Sequence, residues 1–191
     1  MPPPLEESAA LPASTASRLT PEERRARLEE EVVGLFDEFR NPLLRYLASF
    51  GLHTADGEEL LQEVFLGLLQ HLERGRPRDN LRGWLFRVAH NLALKRRSRT
   101  RRDRQSRAPG VEVRAIDPEP NPEDQLAGRQ ARDRLLAIVD ALPEQDRRCL
   151  FLRAEGLRYR EIAEVLNISL GAVSQSLSRS VARMARATQR G

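Results

Sequence analysis

The chain has 191 residues, of which 40% are hydrophobic, only 5% aromatic and 31% charged, and its formal net charge is +4. This composition disfavours one thick aromatic core and favours small helical units with aliphatic cores. The single cysteine, Cys149, excludes an internal disulfide and a Cys-x-x-Cys metal pair. No apolar run approaches the roughly 20 residues that span a bilayer. We therefore expect a cytoplasmic protein without membrane insertion.

Residues 1–20 are rich in proline, alanine and serine, and we predict a disordered tail. Thr20 followed by Pro21 and two glutamates is typical of a helix start, with threonine as the N-cap. The apolar stripe that follows predicts a helix that kinks or restarts at Pro42 and ends at Gly51. This helix opens a first helical domain, predicted over residues 21–100.

A second helix is predicted over residues 54–72 and a third over 81–97, separated by a glycine- and proline-containing loop at 73–80. Trp84 matches the inward stripe of the third helix, although its ring could instead stack on a base. From Lys95 to Arg107 there are eight basic residues against one acid. Four prolines follow, at positions 109, 118, 120 and 122, and residues 101–125 are therefore predicted to form a flexible linker.

The second domain, predicted over residues 126–188, contains a helix-turn-helix pattern. Ala163 is small where a second helix must cross closely, Asn167 tolerates the left-handed conformation that leaves a helix, and Val173 begins the inward stripe of the next helix. The spacing is that of a motif whose second helix enters the DNA major groove, while a plain helical hairpin remains the alternative. Gln175 faces outward and could bond an adenine edge. The fold class is therefore predicted to be all-α, with two small helical domains joined by a linker.

Three segments occur in an order that resembles a known family. They are ELLQEVFLGLLQ (59–70), LRGWLFRVAHNLALKRRSR (81–99) and ALPEQDRRCLFLRAEGLRYREIAEVLNISLGAVSQSLSR (141–179). Together they resemble the extracytoplasmic-function type of bacterial RNA polymerase sigma factor, a sigma-70 protein that keeps only regions 2 and 4. The resemblance implies a promoter-specificity subunit that binds core RNA polymerase, through the β′ clamp helices and the β flap, and promoter DNA. It also implies an anti-sigma factor as a partner.

The resemblance assigns three groups of residues. Core-polymerase binding falls on Glu59, Gln62, Glu63 and Phe65. Contact with the minus-ten element falls on Arg76, Arg78, Asn80, Arg87, Asn91, Lys95 and Arg96. Contact with the minus-thirty-five element falls on Ser169, Gly171, Ala172, Ser174, Gln175, Ser178 and Arg179. The family more often carries Thr, Lys and Arg at the positions of Ala172, Ser174 and Ser176, and the small residues here predict weaker phosphate contact.

Catalytic and cofactor chemistry is not expected. The three histidines are scattered, no phosphate-binding glycine loop or nucleophile motif occurs, and no metal, cofactor or catalytic residue is predicted. Two alternatives to the sigma factor remain at this point. One is a stand-alone helix-turn-helix transcriptional regulator, which would not need residues 54–97. The other is a helical scaffold whose basic segments bind RNA or acidic proteins.

Overall fold

The computed structural model describes residues 20–105 and 136–188, and every regular element within these ranges is an α-helix. The helices are α1 (Pro21–Ala48), α2 (Thr54–Glu73), α3 (Leu81–Gln105), α4 (Glu144–Ala154), α5 (Tyr159–Leu166) and α6 (Leu170–Thr188). A short helical segment at residues 136–140 precedes α4. The all-α prediction is confirmed. Nearly all of the predicted N-terminal tail and most of the predicted linker lie outside the described residues.

Helix α1 begins as the sequence predicts. The Thr20 hydroxyl accepts a hydrogen bond from the Glu23 backbone N–H at 3.2 Å, and the Glu23 carboxylate accepts one from the Thr20 N–H at 2.7 Å. This capping box satisfies donors that the first turn leaves without helical partners. The predicted restart at Pro42 does not occur, because α1 continues through the proline as one helix. Buried Phe39 and Leu43 on either side of the proline hold both halves against the core.

The first three helices pack through apolar stripes at helical spacing. The stripe of α2 is fully buried, and α3 adds small residues, Ala89 and Ala93, where helices approach closely. A buried hydrogen bond of 2.9 Å joins the Tyr46 hydroxyl on α1 to Nδ1 of His90 on α3. Burial, together with the positive charge of Arg148, lowers the pKa of His90 to about 4, so this histidine is neutral at physiological pH.

Helix α3 is longer than predicted, and it extends eight residues beyond Arg97 into the segment predicted to be linker. Arginine is a good helix former, and the first proline after α3 stands at position 109. The Thr100 hydroxyl donates to the Arg96 carbonyl oxygen at 3.1 Å, the i to i−4 bond of a continuing helix. The basic run therefore begins on an ordered helix.

The helices α4–α6 bury a second apolar cluster, including Cys149, Leu152, Ile162 and Val173, each fully buried. Cys149 is a free cysteine packed in this core, and burial raises the pKa of its thiol. Helix α3 packs against α5, and the buried residues of the two helix groups form one continuous core. The division into domains joined at residues 101–125 stays a prediction, because residues 106–135 are not described.

The pH dependence of stability tests the buried Tyr46–His90 bond. Unfolded histidine has a pKa of about 6.5, so between pH 6.5 and about 4 the unfolded chain takes up a proton that folded His90 excludes. The free energy of unfolding should therefore fall as the pH drops through this window, by up to about 3 kcal/mol. His90→Gln retains an acceptor for the Tyr46 hydroxyl but cannot take up this proton. We therefore expect the fall in the free energy of unfolding between pH 6.5 and about 4 to be absent in this variant, as measured by urea unfolding at several pH values.

Gln70→Ala, an exposed change that alters no titratable group, provides the control and should keep the wild-type pH slope. An unchanged slope in His90→Gln would contradict the assignment of a buried neutral histidine.

Candidate functional site

The turn between α5 and α6 has the geometry that the sequence predicts. Asn167 adopts the left-handed conformation, with φ 53° and ψ 49°, and the Ile168 N–H donates to the Ala163 carbonyl oxygen at 3.0 Å. Ser169 then caps α6, since its hydroxyl accepts a hydrogen bond from the Ala172 N–H at 3.1 Å. This sharp turn sets α6 at an angle to α5 and leaves one face of α6 uncovered.

The uncovered face of α6 carries small and polar side chains near its N-terminus. Gly171, Ser174, Gln175 and Ser178 are exposed, and Ala172 is half-buried. Two of the positions predicted for the minus-thirty-five element have partners within the protein: the Ser169 hydroxyl caps α6, and Arg179 is bound to Asp146. The exposed set has the size and hydrogen-bonding capacity of a helix that can enter a major groove.

Arg179 and Ser176 have other partners than the sequence suggests. Arg179 makes two hydrogen bonds to the carboxylate of Asp146, from Nε at 3.0 Å and from Nη2 at 2.7 Å, and this carboxylate is 1% exposed. Hydrogen bonds from Arg179 lower the pKa of Asp146. Ser176, treated above as a phosphate-contact position, is fully buried and accepts a bond from Gln145 Nε2 at 3.1 Å. Both residues fix α6 to α4.

Helix α2 presents an acidic face on its solvent side. Glu59, Gln62 and Glu63 are exposed there, and Leu66, which the sequence reasoning missed, is 60% exposed among them. Phe65 does not belong to this face: its ring is 7% exposed and packs edge-on against Phe36 at 5.0 Å. The prediction of Phe65 as a partner contact is therefore not supported by the structure, because a residue one position after Val64 still falls within the wide buried stripe.

Helix α3 presents a polar stripe on the side away from the core. Arg87, Asn91 and Lys95 follow one another at intervals of four residues, and all three are exposed. Arg96 turns toward α2 instead, where its guanidinium contacts Asp56 at 2.7 Å and Glu59 at 2.9 Å. The hydrogen bond from Arg96 lowers the pKa of Glu59. Arg96, predicted to contact DNA, and Glu59, predicted to contact polymerase, thus form an ion pair with each other.

In the loop before α3, some of the predicted DNA-binding residues have partners within the protein and others are exposed. Asn80 has a positive φ of 57° and accepts a hydrogen bond from the Gly83 N–H at 3.0 Å, so its side chain caps α3. Arg78 forms an ion pair with Glu31 of α1. Arg76 is exposed. Trp84 is half-buried beside His71, with ring centroids 4.8 Å apart, which agrees with a packing role.

No group of three potential metal ligands occurs within residues 20–105 and 136–188. Over the same ranges, no helix is both long and apolar enough to cross a membrane.

Two family models match the chain. The model for sigma-70 region 2 matches residues 35–103, and the model for sigma-70 region 4 matches residues 132–184. The first covers the second half of α1, all of α2 and nearly all of α3, and the second covers the helix-turn-helix.

Several curated proteins are similar in sequence. The ECF RNA polymerase sigma factor SigE of Mycolicibacterium smegmatis is 33% identical over 137 residues, which cover 71% of this chain and 52% of that protein. The probable RNA polymerase sigma factor RfaY of Xanthomonas campestris is 34% identical over 130 residues, covering 66% and 32%. The chain thus spans about half or less of these two relatives. The RNA polymerase sigma factor YlaC of Bacillus subtilis is 26% identical, covering 79% and 88%.

Solved structures share the fold. The sigma factor RpoE of Bartonella quintana, crystallised with the anti-sigma factor NepR, has a TM-score of 0.59 at 18% identity, covering 82% of this chain and 97% of that one. CnrH, in complex with the cytosolic domain of CnrY, has a TM-score of 0.54 at 21% identity, covering 87% and 95%.

The Asp146–Arg179 pair predicts an asymmetric response to mutation. Arg179→Met leaves a buried carboxylate unpaired, which should cost about 3 kcal/mol of unfolding free energy. Asp146→Asn leaves Arg179 without its carboxylate partner, but the Arg179 side chain is 52% exposed and can be hydrated by water. This variant should therefore lose only about 1 kcal/mol of unfolding free energy. Urea unfolding followed by far-UV circular dichroism measures both. Equal losses in the two variants would show that the Asp146 carboxylate is not desolvated.

Proposed function

Because this chain belongs to the extracytoplasmic-function type of sigma-70 RNA polymerase sigma factors, we propose that it binds core polymerase and directs promoter-specific transcription initiation. It would do so by recognising the minus-ten and minus-thirty-five elements. One observation carries the proposal: a single chain presents an exposed helix-turn-helix face on α6, an exposed polar stripe on α3 and a separate acidic face on α2. A non-enzymatic initiation factor requires these three surfaces.

The acidic face of α2 is proposed to dock on the β′ clamp helices. Glu59, Gln62 and Glu63 suit a basic protein surface and repel DNA, and Leu66 adds an apolar contact at the centre of the face. Region 4 is proposed to contact the β flap. An anti-sigma factor is proposed as a further partner, because solved structures of the same fold contain one. The cytoplasm, where polymerase acts, is the proposed location.

Promoter reading is assigned to the two exposed surfaces. Arg87, Asn91 and Lys95 on α3 are proposed to contact the minus-ten element, where the two cations bind phosphate and the amide bonds a base. On α6, Gln175 has the geometry for two hydrogen bonds to an adenine, and Ser174 and Ser178 bond base edges or phosphate. In the structure, Arg96 and Arg179 form ion pairs with carboxylates on neighbouring helices. Each arginine would have to break its ion pair before it could make its proposed contact with DNA.

A charge reversal on the docking face tests polymerase binding. In run-off transcription with core polymerase over a library of host genome fragments, we expect transcripts at discrete start sites only when the protein is present. Glu63→Lys should reduce them by more than about tenfold, since like charges at an interface cost several kcal/mol. Glu73→Lys, an exposed change at the far end of the same helix, should leave them unchanged.

If the purified protein neither binds core polymerase nor supports any transcript, the sigma factor proposal fails. Sequence-specific duplex binding under those conditions would then favour the stand-alone regulator.

Base recognition by α6 gives a second test. With holoenzyme on a library of minus-thirty-five variants, Gln175→Ala should relax the preference at one base pair by about 1–3 kcal/mol and leave the other positions unchanged. Arg186→Ala, an exposed cation further along α6, should instead weaken binding evenly across sequences and lower the salt slope by about one. A uniform loss with Gln175→Ala would contradict its assignment as a base-reading residue.

A further inference from the structure

The loop that joins α2 to α3, here called the 74–80 loop, is exposed along its whole length, yet both of its ends are fixed. Gly75 adopts the left-handed conformation, with φ 64°, and the Arg76 N–H donates to the His71 carbonyl oxygen at 3.2 Å, so α2 ends in a Schellman motif. At the other end, the Asn80 side chain caps α3. The directions in which the chain leaves α2 and enters α3 are therefore set.

The His71 side chain makes a third attachment, to the middle of the loop. Its Nε2 lies 2.9 Å from the Pro77 carbonyl oxygen. A carbonyl oxygen can only accept a hydrogen bond, so Nε2 carries the proton and donates it. Because proline has a fixed φ and restricts the residue before it, holding the Pro77 carbonyl also restricts the backbone on either side. His71 thus binds the loop twice, through its own carbonyl oxygen and through its ring.

The ring of His71 is itself held in place by Trp84 of α3. The two ring centroids are 4.8 Å apart, and the ring planes meet at 44°. Trp84 also reaches Gly67 of α2, where a Cβ atom would stand 3.6 Å from the indole Cη2. Gly67 and His71 are one helical turn apart on the same face of α2, so the indole packs across both positions. Trp84 therefore fixes the His71 ring in the orientation that reaches the loop.

These attachments leave few loop side chains free to bind another molecule. Arg78 forms an ion pair with Glu31, which attaches the loop to α1 as well. The charged loop side chains that are exposed and make no hydrogen bond or ion pair with a described residue are those of Arg74, Arg76 and Asp79. Arg76 directly precedes Pro77, whose carbonyl oxygen His71 holds. The position of the Arg76 guanidinium therefore depends on the His71 contact.

The loop stands at one end of the polar stripe of α3. Asn80 precedes Arg87 by seven residues, which is about two helical turns, so the loop lies beyond the N-terminal end of the stripe formed by Arg87, Asn91 and Lys95. A ligand that lies along this stripe reaches the loop next. Arg76 thus extends the exposed surface that is proposed to contact the minus-ten element.

We propose that His71 is a positioning residue for promoter recognition, which holds the 74–80 loop in one conformation before DNA binds and thereby places Arg76 against the minus-ten element. The role of Arg76 rests on the proposed function, while the anchoring of the loop rests on the contacts above. An exposed loop ordinarily loses conformational freedom when it binds, and this loss lowers its affinity. Here contacts within the protein have already removed part of that freedom. Arg78 serves as a further anchor of the loop.

Two substitutions separate the hydrogen bond of His71 from its ring packing. His71→Phe keeps an aromatic ring beside Trp84 and removes the donor, whereas His71→Gln keeps an N–H donor and removes the ring. In the free full-length protein, His71→Phe should raise the rate of trypsin cleavage after Arg78, followed by mass spectrometry, by about fivefold, because the loss of one hydrogen bond favours local opening by about this factor. His71→Gln should keep this rate close to that of the parent protein.

Gln70→Ala, an exposed change in the same turn of α2, is the matched control and should leave the cleavage rate unchanged. Cleavage after Arg45, within α1, measures unfolding of the whole chain in the same digest. We expect an increase at Arg78 alone. Equal rates at Arg78 in the parent and in His71→Phe, or an equal increase at both sites, would overturn the anchoring of the loop by His71.

A double-mutant cycle tests whether His71 acts through Arg76. With holoenzyme on a promoter identified by run-off transcription, Arg76→Ala should weaken binding by at least about fivefold and lower the salt slope by about one. His71→Phe should weaken binding by about fivefold in the parent chain and have no further effect in Arg76→Ala, because a misplaced guanidinium and an absent one lose the same contact. His71→Gln should restore the binding of the parent.

Losses that add in the double variant would overturn the positioning role, and so would unchanged binding in His71→Phe. If the parent holoenzyme binds no promoter, the sigma factor function fails, and the role of Arg76 fails with it. The cleavage rates in the free protein still decide in that case whether His71 holds the loop.

Discussion

The structure depends on a buried guanidinium at the junction of three helices. Arg148 of α4 reaches across to the end of α1, stacks on Phe50, and lies near the Tyr46–His90 hydrogen bond that joins α1 to α3. A cation over an aromatic face with a carboxylate partner is stabilised without leaving its charge uncompensated. Burial lowers the pKa of Arg148 from its ordinary value, and burial together with this positive charge lowers the pKa of His90. The positions of α1, α3 and α4 are therefore coupled.

Many arginines of this basic chain are used within the protein. Arg96 joins α3 to α2, Arg179 joins α6 to α4, and Arg45 joins α1 to the end of α4. Between Gly171 and Ser178, by contrast, α6 exposes only glycine, serine and glutamine. Promoter affinity would then depend on few phosphate contacts, which gives a small salt slope, and specificity would depend on hydrogen bonds to base edges. The polymerase binding proposed above would supply the remaining affinity by raising the effective concentration of DNA.

Local features were predictable from the sequence. The capping box at Thr20, the left-handed Asn167, the serine cap of α6 and the stripe of α2 all follow from side chains within four residues of one another, and all are present. Errors arose where the outcome depends on distant neighbours. Pro42 was expected to kink or restart α1, yet α1 continues through it as one helix with buried residues on both sides. Phe65 was assigned to polymerase binding by motif position, yet its ring lies in the buried stripe against Phe36.

The sequence by itself determined the helical class, the helix-turn-helix and the faces of α2, α3 and α6 that are exposed, because periodicity and capping act over a few residues. Only the tertiary structure decided which polar residues are already paired. Arg179 and Asp146 are 33 positions apart and Arg45 and Glu155 are 110 apart, so no local pattern could indicate that they meet. Whether an arginine faces DNA or a buried carboxylate is set by helix packing, since a long flexible side chain binds the nearest anion that packing brings within reach.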